Sequence, residues 1–202
     1  MKRWMLVAAV AGLACAVATA QEAKPAGLGQ VVKKAYQEAV NATAEYKAFA
    51  AKADEEGYKA VAALFRAAAE SEGIHIRKFK AALKEAKAEA TVEAAKPDVK
   101  TTKENLEKMI KDKTALKDTA HPAAVKAAEN QKMEKVVMAF KGAMAANAEY
   151  IKYAQEAAKN LDGWKAGKIF YVCDVCSFVM TDPKIEKCPI CAAPRSKFET
   201  IK

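Results

Sequence analysis

Four long amphipathic helices packed as one antiparallel bundle, followed by a small cysteine-bearing module, form the mainly α fold class that this 202-residue sequence predicts. Three observations carry that reading. Apolar side chains recur in alternating steps of four and three along four stretches; alanine and lysine, strong helix formers, fill most of the positions between them; and beyond Gly167 the text turns to aromatics, prolines and paired cysteines. Domains usually run to about 100 to 150 residues, so the chain has room for one ordinary helical unit, read over 21–163, and an appendage, read over 168–202.

The first twenty residues stand apart from the fold. Lys2 and Arg3 precede an apolar run from Trp4 to Val17, which ends in Ala18-Thr19-Ala20. That pattern reads as a signal peptide over 1–20, too short for a membrane span of about 20 apolar residues. Cleavage after Ala20 leaves a periplasmic or secreted protein with no membrane attachment. Cys15 follows Gly12-Leu13-Ala14, a poor lipoprotein signal, and Arg3 lacks the second arginine of a twin-arginine leader. The formal net charge of +9 falls to +7 without Lys2 and Arg3. The remaining basic residues are spread over all the helices without interleaved aromatics, which is a solvated lysine face and argues against a nucleic-acid partner.

The first helix carries the seam Val32, Tyr36, Ala39, Thr43, Tyr46, Ala50 and Ala53, and Gly57 ends it. The second carries Val61, Phe65, Ala68, Glu72, His75, Phe79 and Ala82, so a carboxylate and an imidazole stand on an otherwise apolar stripe. Residues 89–100, with Pro97, read as a crossover linker. The third helix begins near Thr102, whose hydroxyl is expected to cap it, and its seam is Leu106, Met109, Lys113, Leu116, Ala120, Ala123 and Ala127. Pro122 should bend this helix, leaving His121 polar and partly exposed beside it. The fourth runs from about Gln131 through Val136, Phe140, Ala143, Asn147, Tyr150, Ala154 and Ala157 to Leu161-Asp162-Gly163.

In the last segment Cys173-Asp174-Val175-Cys176 is separated by eleven residues from Cys188-Pro189-Ile190-Cys191. Two such pairs can close on one tetrahedral ion, and a segment this short cannot bury enough apolar surface to fold without help. Metal and fold should therefore be lost together. The competing reading is a pair of disulfides, which an oxidising compartment permits. A tetrathiolate site takes iron or zinc, and spacing alone does not choose between them.

The stretch Cys188 to Phe198, with Tyr171 and Phe178 on the other side of the pairs, resembles the second metal knuckle of rubredoxins, and iron is what that resemblance implies. Rubredoxins usually have glycine after each knuckle; Ser177 and Ala192 stand there instead. A helical bundle with such a tail is similar to the rubrerythrin family, a ferritin-like four-helix bundle with a C-terminal rubredoxin-like domain. The matching text is Phe49 to Tyr58, Leu64 to Ala69, and Glu72-Gly73-Ile74-His75. The resemblance implies a homodimer, a separate redox partner protein, and a di-iron site that reduces hydrogen peroxide with electrons relayed from the thiolate iron.

Residue by residue, the carry-over is incomplete. Glu72 and His75 match a family ExxH pair, which implies that they are residual di-iron ligands; the competing and preferred reading is a relic polar pair in the core, satisfied by its neighbours. The other positions fall on Ala39, Lys113, Leu116, Asn147 and Tyr150, so four carboxylates and one histidine are replaced. Two divalent ions need several anionic oxygens, which one glutamate and one histidine do not supply. Lys113 is expected to stand in for the metal charge opposite Glu72. A shift of helix register bringing Glu38, Glu45 or Glu149 inward would restore carboxylates, but the steady seam argues against it. Tyr46 matches a tyrosine near the irons of the family and reads here as core packing. No phosphate loop, hydrolase elbow or nucleophilic triad is present, and no catalytic residue is assigned.

Three functions follow. The first is electron transfer through one iron at Cys173, Cys176, Cys188 and Cys191, with the di-iron site largely lost. The second is a structural zinc ribbon on an interaction module. The third is a rubrerythrin-type peroxidase that assembles iron through unconventional ligands.

Overall fold

The computed structural model describes residues 27–202; the signal sequence read over 1–20 lies outside them. Helices α1 (Leu28–Glu55) and α2 (Lys59–Glu85) form the first antiparallel hairpin, turned at Gly57, whose φ of +83° suits a residue without a β-carbon. An extended stretch through 88–101 crosses to the second pair. That pair is α3 (Thr102–Ala115) continuing through a π turn into α4 (His121–Asn130), followed by α5 (Glu134–Lys159). The mainly helical bundle is as expected. Among the described residues no helix is long and apolar enough to cross a membrane.

All seven seam residues expected on α2 are buried, as are Val32, Tyr36, Ala39, Tyr46, Ala50 and Ala53 on α1. Alanines 60, 62, 63, 67 and 68 give α2 a nearly side-chain-free surface, so its neighbours approach closely and bury it almost all round. Aromatic bulk is concentrated where Phe49 and Phe65 meet edge to face at 5.4 Å, with Tyr46 beside them.

The third helix departs from its expected course. Its cap is Thr101, not Thr102: the Thr101 hydroxyl accepts from the Glu104 amide while the Glu104 carboxylate accepts from Thr101, a reciprocal box. Residues Leu116–Ala120 then form a π turn in which the His121 amide reaches back to the Leu116 carbonyl. Pro122 follows in the first turn of α4, where its missing N–H is not needed. The extra residue in the turn moves the buried stripe on by one. His121, Ala124 and Ala128 are inside, whereas Ala120, Ala123 and Ala127 were expected.

The C-terminal module is a three-stranded antiparallel sheet of order β2-β1-β3, with β1 Phe170–Cys173, β2 Val179–Met180 and β3 Phe198–Ile201. Alternation along β1 splits its side chains between two cores. Phe170 and Val172 join the bundle cluster, where Phe170 packs edge-on against Tyr153 at 5.3 Å, while Tyr171 and Cys173 face the module's own small core. The module is thereby seated on α2 and α5 of the same chain.

Candidate metal centre

Strand β1 ends at Cys173, and the chain turns tightly through Cys176. The Ser177 amide donates to the Cys173 carbonyl at 2.8 Å, and the second knuckle repeats this with the Ala192 amide and Cys188 carbonyl at 2.9 Å. Both turns need a left-handed residue just after the second cysteine. Ser177 (φ +72°) and Ala192 (φ +58°) supply it at about 1 to 2 kcal/mol each, more than glycine would cost.

Four sulfurs result, all within 4.8 Å of one another. The Cys173 and Cys191 Sγ atoms are 3.7 Å apart, and those of Cys176 and Cys188 are 3.4 Å apart. A disulfide requires about 2.05 Å, so the cysteines are not paired. Bonds of ~2.3 Å to one tetrahedral ion set the sulfurs about 3.8 Å apart, which this cage meets. Electrostatics points the same way. The Cys173 thiol is lowered to about 5, chiefly because the Cys176 thiol and then backbone amides donate to its thiolate, and that charge together with burial drives Cys176 up. Four thiolates can share this volume only around a cation. The donor set and its geometry therefore fit a tetrathiolate metal.

The first knuckle leans directly on the bundle. Ser71 Oγ on α2 donates to the Ser177 carbonyl at 2.7 Å, Ser177 Oγ bonds the Cys176 carbonyl, and Arg77 pairs with Asp174. On α5, Gly142 lies beneath: a β-carbon there would sit 3.2 Å from the Cys176 carbonyl oxygen. Ser177 Oγ and His75 Nε2 share a hydrogen bond of 2.7 Å.

From His75 the chain of contacts continues inward. Its Nδ1 bonds Glu72 Oε2 at 3.0 Å, and Glu72 Oε1 accepts from the Lys113 ammonium, the ion pair expected from their shared stripe. Glu72, His75 and Lys113 are all at most 4% exposed. Burial alone would raise the Glu72 carboxyl, but Lys113 and then His75 overcome it and hold it at about 2. Both nitrogens of His75 and both oxygens of Glu72 are thus engaged by protein groups.

Of the remaining positions matched to family ligands, Ala39, Lys113, Leu116 and Asn147 border one small niche with this pair, but none of them brings a carboxylate. Ala39 is buried, Leu116 stands in the π turn, Lys113 carries the opposite charge, and Asn147 and Tyr150 are buried with side-chain polar atoms unpartnered. Glu38 and Glu45, both half-buried, line an outer cavity, with Glu45 held by Lys108, and Glu38 also borders the small niche beside Glu72 and His75. Tyr46 packs in the core as expected, with the Lys113 ammonium 5.4 Å from its ring centre. Sequence reasoning missed Ser177 as a bridge, the Gly142 contact and the burial of His121. Only the first had a signal, a polar side chain where the rubredoxin pattern has glycine.

A bundle of this topology with a four-sulfur cage on its C-terminal tail defines a ferritin-like protein fused to a rubredoxin-like module. The chain belongs to the rubrerythrin family: the family model described as Rubrerythrin matches residues 30–154, and the one described as Rubrerythrin, rubredoxin-like domain matches 171–199. Rubrerythrin-2 of Clostridium acetobutylicum is 29% identical over 182 residues, covering 88% of this chain and 98% of that protein. Nigerythrin of Nitratidesulfovibrio vulgaris is 30% identical over 170 residues, covering 83% of each. The solved structure of nigerythrin in a mixed-valence state superposes with a TM-score of 0.80 at 26% identity over 90% of each chain.

Proposed function

We propose that this protein is an exported one-electron carrier of the rubrerythrin family, working through a single iron at Cys173, Cys176, Cys188 and Cys191, with no di-iron chemistry in its bundle. Such an ion would cycle between ferric and ferrous states without changing its ligands. The chain's own part is to hold four thiolates at fixed separation, to keep Cys173, Cys176 and Cys188 away from water, and to leave Val175 and Ile190 at the exposed knuckle tips toward a redox partner protein. A relative whose structure is titled fully reduced and all ferrous supports iron over zinc at the thiolates.

The observation that carries the absence of a bundle metal is the Lys113 ammonium bonded to Glu72. It supplies the positive charge a metal would have brought, and His75 is tied to Ser177 on its far side. The residues present do not fit two divalent ions. Export rests on the leader read over 1–20, and a homodimer on likeness to the family.

The test is metal analysis and a visible spectrum of aerobically purified protein. One iron per chain and a red ferric tetrathiolate spectrum are expected. Two further irons per bundle would overturn the reading, and colourless protein with stoichiometric zinc would make the module structural.

A further inference from the structure

Helices α1 and α3 do not close on each other around Tyr46. A cavity of about 660 Å³ opens between them, walled by Ala42, Tyr46, Leu116 and Phe140, with Lys113 and His121 on its lining. It lies within the range of about 300 to 1,000 Å³ typical of small-molecule sites. Adjoining it, and sharing Glu38, Lys113, Leu116 and His121, is a niche of about 10 Å³ that also borders Glu72 and Asn147. That volume suits one water or one hydroxyl group.

Around the cavity three lysines face four carboxylates, and each lysine is engaged. Lys34 lies 3.9 Å from Glu38, Lys108 sits between Glu45 (3.1 Å) and Asp112 (2.5 Å), and Lys113 is bonded to Glu72. No lysine is left over for an anionic ligand, and the surplus carboxylate, Asp112, is nearly half exposed to solvent beside Lys108. His121 adds no charge at neutral pH, because burial first and then Lys113 lower it to about 4. What remains unsatisfied is neutral: His121 Nδ1 and both amide atoms of Asn147, on side chains 4% and 1% exposed, have no hydrogen-bond partner. Buried polar atoms are normally paired, and the two residues that carry these both line the niche.

We propose that this cavity binds a small uncharged aromatic alcohol, its ring in the outer chamber beside Tyr46 and Phe140 and its hydroxyl in the niche with His121 and Asn147. The hydroxyl both donates and accepts, as an imidazole nitrogen and an amide together require. The aromatic walls favour a ring over an aliphatic chain. This inference goes beyond the electron-carrier reading and does not depend on which ion the thiolates hold.

Phenol is the probe, titrated calorimetrically into the full mature chain and soaked into its crystals. Saturable binding of one molecule per chain is expected, with density in this cavity. Benzene, which leaves the niche atoms unpaired, should bind more weakly by a factor of about ten or more, and benzoate should not bind. Thr119→Trp, at an exposed position on the cavity rim, should weaken phenol at least tenfold, as should Ala42→Trp inside it. Non-saturable phenol uptake, density elsewhere, benzene binding as well as phenol, benzoate binding more tightly, or unchanged affinity in the Thr119 variant would each overturn the proposal.

Discussion

His75 and Ser177, 102 positions apart in the chain, are joined through Nε2 and Oγ at 2.7 Å, so the first sulfur knuckle is fastened to the residue that in an ExxH pair would face metal. Through Glu72 the same line of bonds ends on Lys113. Four predictions test parts of this arrangement.

Breaking the Glu72 and Lys113 pair from one side should be costly. Lys113→Met leaves a buried carboxylate with His75 as its remaining partner, and a loss of about 3 to 5 kcal/mol is expected in urea unfolding. Glu72→Gln combined with Lys113→Met should recover much of it. A double variant as unstable as the sum of the singles would show that the two groups do not act as a pair.

Acid should weaken the bundle through Glu72. Its folded value, about 2, lies below the ordinary 4.5, so its stabilisation is complete above pH 4.5 and is lost as pH falls through about 2. The shift corresponds to about 3 kcal/mol. Glu72→Gln should flatten this part of the stability profile, measured by denaturant unfolding between pH 5 and pH 2; an unchanged slope would assign the acid sensitivity to other carboxylates.

Ser177 sets a backbone penalty against a bond. Ser177→Ala keeps the left-handed φ and removes the hydroxyl from His75, with an expected loss of about 1 to 3 kcal/mol. Ser177→Gly removes the same hydroxyl but relieves about 1 to 2 kcal/mol of strain, so its net effect should be near zero. Equal destabilisation by the two variants would mean that the backbone conformation carries no penalty.

Removal of the metal should unfold the tail and spare the bundle. Chelation, or Cys188→Ser, is expected to open amides of β1 to β3 to rapid hydrogen exchange while helical circular dichroism is retained. The amides of Phe170 and Val172 should be the slowest of the strands, because their side chains sit in the bundle cluster. Uniform loss of helix on chelation would contradict this division.

The parts of the fold legible in the sequence were those encoded by local repetition. The α2 seam from Val61 to Ala82 is buried as read, since a regular 3.6-residue period turns spacing directly into direction. The same logic failed after Lys113. A π turn over Leu116–Ala120 adds one residue to the helix, and every later position changes face, which is why His121 is inside and Ala123 is not. No residue in that turn announces it in isolation. The cap at Thr101 was misread by one place because two threonines are adjacent, and the choice belongs to Glu104, which bonds back to Thr101.

By itself the sequence determined the helical bundle, the two cysteine knuckles and the opposed charges of Glu72 and Lys113, because periodicity, CxxC spacing and a polar interruption of an apolar stripe are properties of neighbouring residues. Only the tertiary structure decided that Ser177 would meet His75, that Gly142 would lie under Cys176, and that α1 and α3 would leave a cavity bordered by unpaired His121 and Asn147. Those contacts depend on how whole elements dock. That is set by the sum of many weak packing interactions over long sequence separations, and no local pattern records it.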